Sequence, residues 1–284
     1  MSAVFSPHPS VVQLFERERL VFIAGPCVIE SRDFLLRHAE RLVKIAERFS
    51  LPMIFKSSFD KANRTKLDSF RGPGIDEGLK LLDEVKRTFK IAILTDVHSR
   101  EQCAAMKGVV DIIQIPAFLC RQTDLIAAAA ETEIPINVKK GQFLAPQDMD
   151  YAIDKARAAG GKWISVTERG TTFGYRDLIV DMRSLMVMRG LGVPVVFDAT
   201  HSIQRPGAEN GTTGGNRLLA GPLARAAIAV GVDAVYAEVH EDPDRSLSDG
   251  PNSLTFEQLI SLIEQTQNID KLRRTFTPDP LVTS

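Results

Sequence analysis

The sequence carries almost no net charge: 35 Lys and Arg offset 36 Asp and Glu over 284 residues, leaving −1 at pH 7. A nucleic-acid-binding domain usually shows clustered excess base, so that class is excluded as a global property, and any basic patch must be local. Cysteine is scarce as well. Cys27, Cys103 and Cys120 are odd in number, far apart and in no CxxC pair, which argues against a disulfide framework and for a reducing compartment. No apolar run approaches the ~18 residues of a membrane span, and no cationic start leads into an apolar stretch and cleavage site. The expectation is a cytoplasmic protein with no membrane partner. There is no GxxxxGK[ST], no GxSxG and no strand-linked GxGxxG, so nucleotide hydrolysis, serine-triad chemistry and dinucleotide redox lack their usual support.

What is present is ordinary in bulk and organised in detail. Hydrophobic residues make up 44% and charged residues 25%, values of a globular chain that can bury a large core. Eight short apolar runs recur at spacings of roughly 20 to 40 residues, room enough for a helix between parallel strands. They are Leu20 to Ala24, Met53 to Phe55, Ile91 to Leu94, Asp111 to Ile115, Pro135 to Val138, Trp163 to Val166, Pro194 to Phe197 and Ala234 to Ala237. Between them, stretches such as Phe34 to Phe49 and Gly78 to Phe89 have helical period, apolar on one face and charged on the other. Strand then helix, repeated eight times, predicts an α/β fold closed as a (β/α)₈ TIM barrel; an open doubly wound sheet is the competing architecture. The length is near the roughly 250 residues typical of such barrels. One domain over residues 1–284 is therefore expected, with 1–19 an N-terminal extension covering the barrel bottom. His201 to Arg217 and His240 to Ser253 read as long loops of the kind that cover active sites.

Catalytic groups in such barrels project from the carboxyl ends of several strands. Here those ends are unusually polar: Cys27; Lys56 and Lys61 with Asn63 and Arg64; Asp96 and His98; Gln114; Lys139 and Lys140; Glu168 and Arg169; Asp198 and His201; Glu238 and His240. One polar end would be a solvated loop, whereas eight predict a convergent site. Lys56, Lys61, Arg64, Lys139 and Arg169 would face one mouth, and together they suit a substrate with two or more anionic groups. The bland alternative is a set of salt bridges to Asp60, Asp96, Glu168 and Asp198.

Cys27, His201, Glu238 and Asp249 come from the first, seventh and eighth strand ends, neighbours once a barrel closes. Thiolate, imidazole and carboxylate donors fit Zn²⁺, Fe²⁺ or Mn²⁺ better than Mg²⁺ or Ca²⁺, which prefer oxygen alone. No two of the four form a local motif such as HExxH, so spacing leaves the alternatives open: Cys27 as a small buried hydrophobe, His201 as a loop histidine bonded to backbone. Cys103 and Cys120 read as inert filler. His8 and His38 lie off the strand ends. His98 and His240 are expected in the mouth.

Several longer segments carry a family likeness: AGPCVIES from Ala24, FKSSFDKANRT from Phe55, QIPAFLCRQTDL from Gln114, NVKKGQFLAP from Asn137, TERGTTFGY from Thr167, FDATHS from Phe197 and SDGP from Ser248. In these the chain closely resembles the 3-deoxy-D-manno-octulosonate 8-phosphate synthases, from about Phe22 to beyond Asp249. The related synthases that use erythrose 4-phosphate share the general plan but read KPRT-like where this chain has KANRT. The resemblance implies condensation of phosphoenolpyruvate with D-arabinose 5-phosphate in a cytoplasmic homotetramer that feeds lipopolysaccharide synthesis. Cys rather than Asn at the first strand end implies the metal-dependent form, using a divalent ion such as Zn, Fe, Mn or Co, with Cys27, His201, Glu238 and Asp249 as its ligands. By the same likeness Lys61, Lys139, Arg169 and Gln114 hold phosphoenolpyruvate, with Lys56 and Ser58 nearby. Asn63 and Arg64 hold arabinose 5-phosphate, whose phosphate also meets Arg121 of a neighbouring subunit, and Thr65 keeps a hydroxyl where relatives can carry Ser. Cys27, His201, Lys139 and Asn63 are the expected catalytic residues. The rivals are a sister synthase using another aldose, a non-catalytic phosphosugar-binding protein, and a class II aldolase that needs no phosphoenolpyruvate.

Overall fold

The computed structural model describes residues 10–16, 19–64, 66–172, 175, 177–206 and 214–277. His8, Thr65, Phe173 and Gly174 lie outside the described residues, as do the ends of the expected N-terminal extension and the middle of the loop after His201.

Eight parallel strands close on themselves: β1 (Val21–Gly25), β2 (Met53–Lys56), β3 (Ala92–Asp96), β4 (Ile112–Ile115), β5 (Ile136–Lys139), β6 (Ile164–Glu168), β7 (Val195–Asp198) and β8 (Ala234–Glu238). Each pairs with its neighbours in sequence, and β1 closes the ring against β8 with Val21 opposite Ala234 and Gly25 opposite Glu238. Helices fill the crossovers: α2 (Arg32–Phe49), α3 (Ile75–Phe89), α4 (Arg100–Ala105), α5 (Thr123–Ala130), α6 (Met149–Ala158), α7 (Arg183–Gly190) and α8 (Ala220–Val230), with α1 (Val11–Glu16) before the first strand and α9 (Phe256–Arg273) after the last. This is the (β/α)₈ barrel, and the open doubly wound sheet is excluded. A short antiparallel ribbon pairs Gln204–Arg205 with Gly214–Gly215 above β7. No helix among the described residues is long and apolar enough to cross a membrane.

The helix boundaries follow local chemistry. In α2 the Ser31 hydroxyl caps the first turn by accepting the Phe34 N–H, and Asp33 lies at the positive end of the dipole. Its buried residues Phe34, Leu35, His38, Ala39, Leu42 and Ile45 form a stripe of helical period. Helix α9 starts with a capping box between Thr255 and Gln258.

Side-chain parity divides the barrel into two cores. Phe22, Phe55, Ile93, Ile113, Val138, Val166, Phe197 and Val235 face outward into the helix layer. Val21, Ile23, Ile54, Ala92, Leu94, Ile112, Val196, Ala234 and Tyr236 fill the interior, and Val11 and Leu14 of α1 join that inner cluster. Phe15 meets Trp163 edge to face, with ring centroids 4.9 Å apart. Counting by twos from these interior residues brings Lys56, Asp96, Gln114, Asp198 and Glu238 inward at the carboxyl ends, and Lys139 faces inward because its neighbour Val138 faces outward. The same count sends Glu168 outward, where it pairs with Lys140 at 3.5 Å, both side chains 1% exposed. Lys140 and Glu168, expected at the mouth, are therefore a buried pair on the outer side of the barrel.

Seven of the eight strands run one or two residues further toward the carboxyl end than the apolar runs suggest, in six of them because the polar end residue still belongs to the ladder; β4 ends at Ile115 as expected. One position there tolerates no side chain. A Cβ on Gly25 would overlap the Lys56 carbonyl across the β1–β2 seam. Gly25→Ala should cost about 1–3 kcal/mol, as overpacking a tight core does. Thermal denaturation checks this, and an unchanged Tm would show that the seam relaxes freely.

Candidate active site

A cavity of about 930 Å³ opens at the carboxyl ends, lined among others by Lys56, Lys61, Asn63, Arg64, Gln114, Lys139, Arg169, His201 and Asp249. Cys27, Ser58 and Glu238 are buried against its floor. Arg121 is exposed and does not line this cavity. His98 lines it, as expected; His240 does not. Past the end of β8 the chain turns to pair Val239 with Leu254, and the His240 ring comes to lie 4.9 Å from that of Phe34 and 5.6 Å from that of His38.

At the floor, one ligand atom from each of Cys27, Glu238 and Asp249 lies within 4.8 Å of the others. Cys27 Sγ is 3.3 Å from Asp249 Oδ2, and His201 Nε2 is 3.5 Å from Glu238 Oε1 and 3.9 Å from Asp249 Oδ2. Asp198 Oδ2 faces His201 Nδ1 at 2.8 Å and Lys139 Nζ at 2.6 Å. A carboxylate there places the ring proton on Nδ1 and leaves the Nε2 lone pair aimed at the cluster, as metal-ligating histidines are held. Glu238 Oε2 is buried with no hydrogen-bond partner, a costly state that a cation would relieve. Burial, then the Glu238 carboxylate, pushes the Cys27 thiol up, so a divalent cation is the charge that would make it a thiolate. The donor set and its unpaired oxygen fit a transition-metal ion.

The cations surround this cluster. Lys56 Nζ is 3.5 Å from both Asp96 and Glu238, and Lys61 is 3.9 Å from Glu238. Burial works against the Lys61 ammonium, but the negative groups around it, the Glu238, Asp96 and Asp249 carboxylates among them, raise its pKa. The bland reading is thus partly realised, since Asp96 and Asp198 do pair with lysines. Arg169 is the exception. It is 4% exposed, its Nη2 donates to Gln204, and its Nη1 is buried without a partner. A buried guanidinium donor beside an open cavity is an anion site in search of its oxygen.

Burial alone would raise the pKa of Glu238, but His201, Lys61, Lys56 and Lys139 together hold it at about 2. A carboxyl depressed from 4.5 stabilises the fold above the unfolded value and loses that contribution as pH falls toward 2. The metal-free protein should therefore lose stability over that window, and Glu238→Gln should flatten the loss. Acid titration of the circular-dichroism signal checks it; an equal slope in both proteins would remove Glu238 from the account.

Several contributors were not assigned roles from sequence. Asp198 could have been read from its place three residues before His201. Gln204, which joins Arg169 to Asp249, and Ser248, which lies 3.2 Å from Cys27 Sγ, had no such signal. Nor did the chain in which Ser165 and Thr167 donate to Asn137, Asn137 donates to Gln114, and Gln114 donates to Asp96.

Comparison with known proteins adds a family. Residues 12–275 match the DAHP synthetase I family. A protein of Trichlorobacter lovleyi named 2-dehydro-3-deoxyphosphooctonate aldolase is 55% identical over 255 residues, covering 90% of this chain and 94% of its own. Proteins of the same name from Syntrophobacter fumaroxidans and Magnetococcus marinus are 54% and 53% identical, each covering 90% of this chain and 89% of its own.

Proposed function

The chain belongs to the DAHP synthetase I family, and from that premise we propose that it condenses phosphoenolpyruvate, D-arabinose 5-phosphate and water to 3-deoxy-D-manno-octulosonate 8-phosphate and inorganic phosphate. The name shared by relatives of 53 to 55% identity supports this aldose over another. The observation that carries the reading is the cationic cavity with a thiol and two carboxylates clustered at its floor and the His201 imidazole 3.5 Å from one of those carboxylates.

Cys27, His201, Glu238 and Asp249 would hold a divalent ion, Zn, Fe, Mn or Co, whose Lewis acidity would polarise the sugar aldehyde. Lys61, Lys139, Arg169 and Gln114 bind phosphoenolpyruvate, with Lys56 and Ser58 behind them. Asn63 and Arg64 bind the phosphosugar, so that C3 of phosphoenolpyruvate faces the aldehyde carbon and the C–C bond forms there, the aldehyde oxygen becoming a hydroxyl. Water adds at C2, and the C–O bond to phosphate then breaks. Lys139 and Arg169 offset the charge that builds on the departing phosphate. Asp198 keeps Lys139 and His201 in place throughout.

The assembly is a homotetramer in this reading, as the family resemblance implies, with Arg121, exposed and outside its own cavity, serving a substrate across a subunit boundary. In this reading the described residues form one barrel domain, with α1 over its amino-terminal end, as the packing of Val11 and Leu14 on the inner cluster supports; residues 1–9, 17 and 18 of the expected 1–19 extension lie outside the described residues. Three free buried cysteines suit the cytoplasm, where the product would feed lipopolysaccharide synthesis. The test is phosphate release from phosphoenolpyruvate with arabinose 5-phosphate against erythrose 4-phosphate. Release with the pentose phosphate is expected. A preference for the tetrose phosphate, tight binding without release, or aldol chemistry without phosphoenolpyruvate would overturn the proposal.

A further inference from the structure

Resting on that reading for its substrates, we propose that Glu30 is a positioning residue: its Oε1 pins the turn at Leu247–Asp249, and so places both the grip of Arg64 on the phosphosugar and the approach of Asp249 to the ion. Glu30 lies three residues beyond Cys27 and does not line the cavity. Its Oε1 accepts the Leu247 N–H at 3.0 Å and lies 3.3 Å from His240 Nε2. The other ring nitrogen of His240 accepts the Asp242 N–H at 3.0 Å, so Nε2 carries the ring proton and faces Glu30. The Glu30 carboxylate thus sits between the start of the loop after β8 and its tip, hydrogen-bonded to the Leu247 N–H and 3.3 Å from a His240 Nε2 that has no hydrogen-bond partner among the described residues.

The contacts made from Leu247 onward give this tie its importance. Leu247 O accepts Arg64 Nη2 at 3.1 Å, and Ser248 Oγ accepts Arg64 Nη1 at 2.7 Å. Cys27 Sγ lies 3.2 Å from the same Ser248 hydroxyl. Asp249 comes next, with φ at 51°, a left-handed conformation that a non-glycine residue adopts at a cost. The Leu247 side chain is 45% exposed, so packing does not hold the turn there. Ser246 Oγ braces the turn from within, donating to Ser248 O at 2.7 Å, and the hydrogen bond from the Leu247 backbone to Glu30 anchors it to the loop after β1.

Three measurements on the full-length protein test this, and two of them need no turnover. Glu30→Ala should raise KM for arabinose 5-phosphate about ten-fold while KM for phosphoenolpyruvate moves less than about two-fold. It should weaken Co²⁺ binding, read from the thiolate charge-transfer absorbance, and speed deuterium exchange in the peptide containing Leu247. Glu30→Gln keeps the Oε1 acceptor and should stay near wild type in all three. Should Glu30→Ala fail to fold, Glu30→Asp, which withdraws the acceptor by one methylene, must show the same split. Equal rises in both KM values, unaltered exchange, or a Gln variant as impaired as Ala would overturn the proposal. A wild-type protein that does not turn over these substrates would sink the proposed function instead, leaving exchange and Co²⁺ binding to decide the role of Glu30.

Discussion

Cys27→Ala and His201→Ala should each bring metal content below about a tenth of wild type and remove most activity, a loss of about 100-fold or more in phosphate release. Cys27 contributes the sulfur among the donors gathered at the floor, and its side chain is too small for its removal to collapse the barrel. His201 contributes the nitrogen, already aimed by Asp198 at 2.8 Å. Removing either leaves Glu238 Oε2 buried and unpaired, with no adequate cation to relieve it. Elemental analysis and a phosphate-release assay, on variants shown to fold by thermal denaturation, check this. Cys27→Asn is the informative companion: its amide can donate toward Ser248 and Asp249 without an ion, so some turnover should survive chelation. Full turnover by chelated wild-type enzyme would contradict the assignment.

Arg169→Ala should lower kcat/KM for phosphoenolpyruvate by about 100-fold to 1,000-fold, the scale of a desolvated charge-assisted contact, with KM for arabinose 5-phosphate within about three-fold of wild type. The reason is the free Nη1. Lys56, Lys61 and Lys139 each have a carboxylate close by, whereas this donor is buried with nothing to bond. Steady-state kinetics with each substrate varied separately check the split. Unaltered constants would remove Arg169 from the phosphate site, and equal losses for both substrates would recast it as a structural residue.

The barrel was legible because its interior and its helix layer are both apolar, so strands appear as short runs at helical separation. Their ends were less so. Reading a strand to its last apolar residue stops before Lys56, Asp96, Lys139, Glu168, Asp198 and Glu238, each of which ends its strand in the structure. Parity was the unused signal: Lys139 and Lys140 are adjacent, so only one can face inward, and Glu168 leaves with Lys140. The loop contacts were beyond reach. Cys27 meets Ser248 and Asp249 across more than 220 residues, and Glu30 meets Leu247 across a similar span. No local pattern encodes pairings of that range; they exist because β1 and β8 close the ring and bring their loops together.

X-ray absorption at the edge of the bound metal tests the central claim most directly. A Zn-loaded protein should show one sulfur at about 2.3 Å with nitrogen and oxygen at about 2.0–2.2 Å, and the sulfur shell should vanish in Cys27→Ala. A shell of nitrogen and oxygen alone in the wild type, or a sulfur that survives the substitution, would mean that the ion is held elsewhere.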